Sequence, residues 1–329
     1  MKAIVCSQFG GPDALEVSEV EEPVAGEGQV VIDVAACALN FPDLLMTQDL
    51  YQFKPQLPYI PGGEIAGVIR STGPGVSAVA IGDRVVGSAS TGGLAERAAV
   101  QAGRLVRVPD GVALDQAAGL MYAYGTAHHA LRDRARIQPG ESLLVLGAAG
   151  GVGLAAVELG RLMGARVIAA ASTDEKLALC RKRGADDVVN YSTEDLKLRV
   201  RELTGGNGAD VVYDPVGGSY AEPAVRSTAW DGRYLVIGFA AGAIPRIPLN
   251  LPLLRGCSIV GVFWGAFVGR QPEGLERTVE QLARWWNSGE LESHVFRSYP
   301  LEQAADAFRA LAERRVLGKV VVAPRAAGS

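Results

Sequence analysis

The stretch LLVLGAAGGVGLAAVELGRLMGARVIAAASTDEK, residues 143–176, constrains the fold more than any other. An apolar run meets a knot of glycines, a helical pattern follows, and a second apolar run comes next. A strand that turns through glycines into a helix presents backbone N–H groups at the helix start, where a pyrophosphate is held. Gly150 occupies the middle glycine position of G-x-G-x-x-G, where backbone approaches ligand. Gly153 occupies the position where helix packs on strand. Ala148 takes the place of the first glycine, which a methyl group tolerates if φ stays negative.

A lone G-x-G-x-x-G is weak evidence, and context decides. Here strand-like runs follow at 142–147, 166–172, 186–191, 209–216, 233–240 and 256–263. Helical patterns lie between them at 151–163, 174–183, 194–203 and about 219–229. Short apolar strands alternating with helices imply a doubly wound parallel sheet covered on both faces. Residues 1 to about 120 read differently. KAIVC, LEVSEV, GQVVIDVAACAL, GGEIAGVIRSTG and GDRVVGSA are strand-like and bounded by glycine, so a β-rich domain is expected there. LDQAAGLMYAYGTAHHALRDRARI, from residue 114, has helical spacing. EGLERTVEQLARWWNSGEL and LEQAADAFRALAERR read as amphipathic helices, and GKVVVAP as a last strand.

A chain of 329 residues fits two domains at about 150 residues each. The net charge of −4 gives no global attraction to nucleic acid or to an anionic membrane. No run approaches about 18 uninterrupted apolar residues, so no membrane-spanning helix is expected. The opening MKAIVCSQFGG lacks the pattern of a secretory signal. Cys6, Cys37, Cys180 and Cys257 are dispersed, which fits reduced thiols in a cytoplasmic protein.

Cofactor choice is read at the end of the second strand. NAD sites place an acid there for the ribose 2′-hydroxyl, whereas NADP sites lack it and add cations. The strand ends on Ala171, with Ser172 next, Lys176 on the following helix and Tyr191 ending the third strand. Together they favour NADPH. Lys176 as a solvated lysine and Tyr191 as a packing residue are the plainer readings of each taken alone.

The motifs GESLLVLGAAGGVGLAAVELGR, ALNFPDLLMTQDLY, PGGEIAGVI, GDRVVG and GADVVYDPVGG resemble those of the medium-chain dehydrogenase/reductase superfamily, and in particular its zinc-free quinone oxidoreductase branch. The resemblance spans essentially the whole chain. It departs at Glu158, where the branch usually has glutamine. It implies a GroES-like catalytic domain at 1–120, completed by about 264–329, and a Rossmann NADPH-binding domain at 121–263. It also implies an active site in the cleft between the domains and a homodimer formed through the strand near Gly256 to Phe263.

Zinc-dependent relatives supply a cysteine and a G-H-E stretch. Here Asn40 and Gly63 occupy the cysteine and histidine positions, and Glu64 alone cannot hold zinc, which needs about three protein ligands. His128, His129 and His294 form no ligand set and read as surface or packing residues. Without a metal, the cofactor supplies the hydride and the protein orients the acceptor and stabilises the developing oxyanion or enolate. The resemblance implies Asn40, Tyr51 and Asp43 as catalytic-side residues, with Tyr59 an alternative to Tyr51. It places Phe41, Thr126, Ala149, Gly150, Gly151, Val152, Ser172, Lys176, Tyr191, Gly238, Phe239, Phe263, Trp264 and Lys319 around NADPH. Phe263 and Trp264 also read as core or dimer contacts. The expected substrate is a small molecule, a quinone or an activated alkene. The alternatives are an enoyl-CoA or enone reductase on the same fold, and an NADPH-binding protein without turnover.

Overall fold

Glycine and proline punctuate the first third of the chain into short strands, and the computed structural model, which describes residues 1–324, has seven of them there. They are β1 (Lys2–Cys6), β2 (Leu15–Glu19), β3 (Gln29–Leu39), β4 (Glu64–Thr72), β5 (Arg84–Ser88), β6 (Arg97–Gln101) and β7 (Leu105–Arg107). β1 and β2 form a separate antiparallel pair. β3 alternates inward Val30, Ile32 and Val34 against Ile65, Ile69, Val85 and Val100, a core built on the period of two. Two register shifts between β3 and β4 bend this pair before β3 ends at Leu39. Phe41–Thr47 then forms a short helix.

From Ala123 to Leu291 the chain forms a second compact unit. Its strands are β8 (Ser142–Leu146), β9 (Arg166–Ala171), β10 (Asp187–Asn190), β11 (Ala209–Asp214), β12 (Thr228–Val236) and β13 (Ser258–Gly261). All neighbours are parallel, in the order β10-β9-β8-β11-β12-β13. Counted from β8 this is 3-2-1-4-5-6, the doubly wound order whose reversal lies beside the first strand. The strand ends of β8, β9 and β10 are therefore where a dinucleotide is expected. Leu144, Leu146, Ile168, Val189, Val212 and Tyr234 fill the core beneath the helices on one face.

The chain returns at Glu292 to complete the first unit, later than the sequence expectation of about 264. The helices Trp264–Arg270 and Pro272–Asn287 consequently belong to the second unit. β14 (Val295–Pro300) and β15 (Lys319–Ala323) extend the first unit's sheet to β14-β15-β3-β4-β5-β7, with β6 paired to β3. Between β14 and β15 the helix Ala304–Ala312 buries Ala307 and Phe308 against Leu39, Leu44 and Val322.

Candidate functional site

The glycine turn divides its work among three glycines. Gly147 takes φ +56°, the left-handed conformation that favours glycine. Ala148 is buried at negative φ, its N–H on Ala170 O at 3.1 Å. The positive φ thus falls one residue before the fingerprint's first position, which is why Ala148 is tolerated. A Cβ on Gly153 would collide with Gly147 O, so this glycine lets helix 151–162 approach β8. Gly150 has neither constraint: φ is −79°, and its Cβ would lie an ordinary 3.4 Å from Gly147 O. Its missing side chain leaves space over the helix start, beside Ala149, Gly151 and Val152, whose region carries the unpaired N–H groups of a first turn. Gly150→Ala is therefore expected to fold normally and lose dinucleotide affinity about tenfold or more, whereas Gly153→Ala lowers the melting temperature itself. Thermal scans with and without dinucleotide check this; equal destabilisation by both changes would refute the division.

At the next strand end, Tyr191 N–H donates to Ala171 O at 3.1 Å, which brings the ends of β9 and β10 together. Lys176 Nζ lies 3.4 Å from Ser172 Oγ. Thr173 Oγ1 accepts the Lys176 N–H at 3.3 Å and caps the helix Asp174–Lys182. Ser172 and Lys176 thus lie together just after β9, and the backbone of Tyr191 joins the same strand end. Tyr191 packs on Tyr220, ring centroids 4.4 Å apart. Asp174 is tied to Asn190 Nδ2 at 2.9 Å.

Thr126 lies in the helix Gly125–His128. Trp264 is buried and lies against Gly125, where a Cβ would meet the indole at 2.5 Å. This contact is the packing that the core reading of Trp264 expects. Phe263 is 60% exposed. Gly238 and Phe239 follow β12 and line a cavity of about 200 Å³ with Tyr234, Ile244 and Ile259.

His128 and His129 are packing residues, not surface ones. His129 stacks on Phe267 at 3.8 Å and hydrogen-bonds Asp133 at 2.8 Å. His128 meets Thr278 Oγ1 at 3.1 Å and the edge of Trp285. Burial pushes His128 down to about 4. The helical spacing of this segment is realised partly as wide π turns at Leu120–Tyr124 and His129–Ala135, a geometry frequent at functional sites.

The first unit holds a buried polar knot. Lys319 Nζ donates to Glu64 Oε2 at 3.0 Å, Asn40 Oδ1 at 2.6 Å and Leu39 O at 3.2 Å. Asn40 Nδ2 donates to Glu64 Oε2 at 2.9 Å, and Tyr122 N–H to Glu64 Oε1 at 2.8 Å. Glu64 is fully buried and Lys319 4% exposed. Lys319 and the Asn40 amide, expected near cofactor and acceptor, are thus engaged with Glu64. Asp43 Oδ2 accepts the Asn40 N–H at 2.8 Å. Burial pushes Asp43 up to about 7, against the lowering effect of backbone N–H groups and of Lys319. Tyr51 is half-buried against Met46, Tyr59 and Cys6, and burial, then Asp43, raises its phenol. Phe41 packs partly buried on the Leu39 core. Tyr122 is not legible in the sequence as a site residue: its hydroxyl donates to Ala89 O at 3.2 Å. A Cβ on Gly63 would lie 2.8 Å from that oxygen and 3.2 Å from the Tyr122 hydroxyl, so no histidine fits there without displacement. Among the described residues no three His, Cys, Asp or Glu side chains are arranged to hold a metal ion.

Residues 26–110 match the alcohol dehydrogenase GroES-like domain family and residues 151–284 the zinc-binding dehydrogenase family. The chain is 39% identical over 322 residues to quinone oxidoreductase-like protein 2 of Rattus norvegicus, covering 98% of this chain and 91% of that protein. The quinone oxidoreductase of Thermus thermophilus, solved also in complex with NADPH, is 38% identical with a TM-score of 0.86, over 98% of this chain and 100% of that one. The Escherichia coli quinone oxidoreductase complexed with NADPH is 29% identical with a TM-score of 0.91, again over 98% and 100%. With its GroES-like strands, its 3-2-1-4-5-6 sheet and these relatives along its length, the chain belongs to the medium-chain dehydrogenase/reductase superfamily, in its quinone oxidoreductase branch.

Proposed function

We propose that this protein is an NADPH-dependent, zinc-free reductase that passes hydride to a quinone. The observation that carries the cofactor is the convergence of Ser172, Lys176 and Tyr191 on a strand end that bears Ala171 in place of an acid. The fit extends to the turn, where Gly150 is a glycine for no reason internal to the fold. Gly150, Gly151 and Val152 would hold the pyrophosphate, Lys176 and Ser172 the 2′-phosphate, and Tyr191 the adenine. When bound, NADPH supplies the hydride.

In the first unit, Asn40, Asp43 and Tyr51 are assigned to the acceptor side. Asn40 is fixed by Glu64 and Lys319, so it positions the start of helix 41–47. Asp43, pushed up to about 7, holds or releases a proton near neutrality. Tyr51 stays a phenol and so can donate a hydrogen bond to a developing oxyanion. The zinc-free reading is supported by Asn40 and Gly63 and by the Lys319 ammonium on Glu64.

The homodimer is proposed through β13, an edge strand that exposes Ile259 and is followed two residues after its end by the exposed Phe263. A cytoplasmic location is supported by four free cysteines, and no described helix is long and apolar enough to cross a membrane.

NADPH oxidation measured with 1,2- and 1,4-quinones beside enones and enoyl-CoA tests the substrate. Quinone turnover is expected to exceed the others. Enoyl-CoA turnover without quinone activity would transfer the assignment to that reductase class, and tight NADPH binding with no turnover on the whole panel would make the protein a binding module.

A further inference from the structure

Glu158 is the only charged residue on the buried face of helix Gly151–Leu162. Tyr124 Oη donates to its Oε2 at 2.6 Å, within the range of a charge-assisted O–H to carboxylate bond. Arg183 Nη1 lies 3.2 Å from its Oε1, and both side chains are largely removed from water. A buried carboxylate held by Tyr124 and Arg183 is fixed more rigidly than an exposed pair, because either bond is costly to break where water cannot replace it.

The three residues come from three elements, and each element also bears or adjoins a residue assigned above to the cofactor. Helix 151–162 begins at the glycine turn. Arg183 caps the end of helix Asp174–Lys182, whose first turn holds Lys176. Tyr124 immediately precedes the helix Gly125–His128, which carries Thr126. From Ala123 to Leu131 every residue is buried save Thr126. That segment is pinned at Gly125 by Trp264 and at Tyr124 by Glu158.

We propose that Glu158 is a positioning residue, tying the segment that presents Thr126 to the two helices that grip the phosphates of NADPH. The assignment rests on the cofactor placement proposed above. Glu158 touches no substrate itself. It sets the register of Thr126 against the pyrophosphate turn, while Arg183 compensates the charge that makes the tie strong.

The test uses the full-length protein with Glu158→Ala, Glu158→Gln, Tyr124→Phe and the double variant Tyr124→Phe/Glu158→Ala. The readouts are NADPH affinity, fluorescence emission of bound NADPH, amide exchange over residues 123–131, and turnover. Emission reports the surroundings of the nicotinamide separately from grip on the phosphates. Glu158→Ala and Tyr124→Phe are expected to change affinity less than about threefold, to shift bound emission toward that of free NADPH, to speed exchange at 123–131 and to lower turnover about tenfold. The double variant is expected to be no worse than Glu158→Ala, because both changes cut the same tie. Glu158→Gln keeps an acceptor for Tyr124, so it should retain the emission while losing melting temperature through the lost ion pair with Arg183. Unchanged emission and exchange in Glu158→Ala and Tyr124→Phe would overturn the proposal and leave a purely structural network. So would a Glu158→Gln emission shifted as far as that of Glu158→Ala, or additive losses in the double variant. Failure of the unaltered protein to bind NADPH would instead refute the cofactor reading.

Discussion

Lys176→Ala is expected to weaken NADPH binding by about 10- to 100-fold, the equivalent of one lost charge-assisted contact of roughly 1.5–3 kcal/mol. NADH binding should change less than about twofold, because NADH lacks the 2′-phosphate that the ammonium would meet. Lys176 is poised for this before any ligand arrives: Thr173 holds its N–H and Ser172 Oγ lies 3.4 Å from its Nζ. Its helix also begins beside the phosphate position, so the helix dipole adds a smaller, shared contribution. The NADPH effect should shrink as salt rises, since Lys176 is only half-buried and its field is screened. Titrations of both cofactors at two ionic strengths measure it. An equal loss for NADH and NADPH would remove Lys176 from the 2′-phosphate and return it to the role of a solvated helix lysine.

The parts of this site that are legible in the sequence are those made by residues close along the chain. The glycine turn, Ser172 and Lys176 fall within about 30 residues, and the alternation of strands fixes that they meet at strand ends. Even there the fingerprint places the turn one residue late, because spacing does not reveal that Gly147, and not residue 148, carries the positive φ. Trp264 is ambiguous because an aromatic residue after a strand serves a pocket or a core equally well, and its packing on Gly125 is a contact made through the fold that no local pattern encodes. His128 and His129, placed about 100° apart on an ideal helix, are both buried because helix 272–287 and the Trp264–Phe267 pair cover two sides of that segment. The Asn40–Glu64–Lys319 knot is the least legible. Its members lie 24, 255 and 279 residues apart pairwise, and no local pattern encodes a partner at that distance. The late return of the chain at Glu292 explains the same gap: β15 pairs with β3 and brings Lys319 beside Leu39.

That knot gives the largest expected effect on stability. Lys319→Met keeps the length of the side chain and removes the ammonium that serves Glu64, Asn40 and Leu39 O together. Among the described residues Glu64 then keeps the Asn40 amide and the Tyr122 N–H as partners, in a fully buried position. Deleting one member of a buried ion pair costs about 3–5 kcal/mol, because the remaining charge is left without water. For a unit of this size that lowers its melting temperature by on the order of 10 °C. Lys319→Met/Glu64→Gln should recover part of the loss, since the orphaned charge goes too. The deficit also depends on pH. Asp43 is held at about 7 in the folded state against 3.8 as its ordinary value, so its contribution is full below about 4 and is lost as pH rises through 7. Lys319 is one of the groups holding that value down. Without it the Asp43 carboxyl moves higher still, and the variant goes on losing stability above pH 7, where the unaltered protein has levelled off. Denaturant unfolding at pH 6 and pH 8.5 should therefore show the larger deficit at pH 8.5. A deficit under about 1 kcal/mol would mean that the pair is worth no more than a surface salt bridge. A deficit that shrank with pH would mean that Lys319 and Asp43 do not share a field.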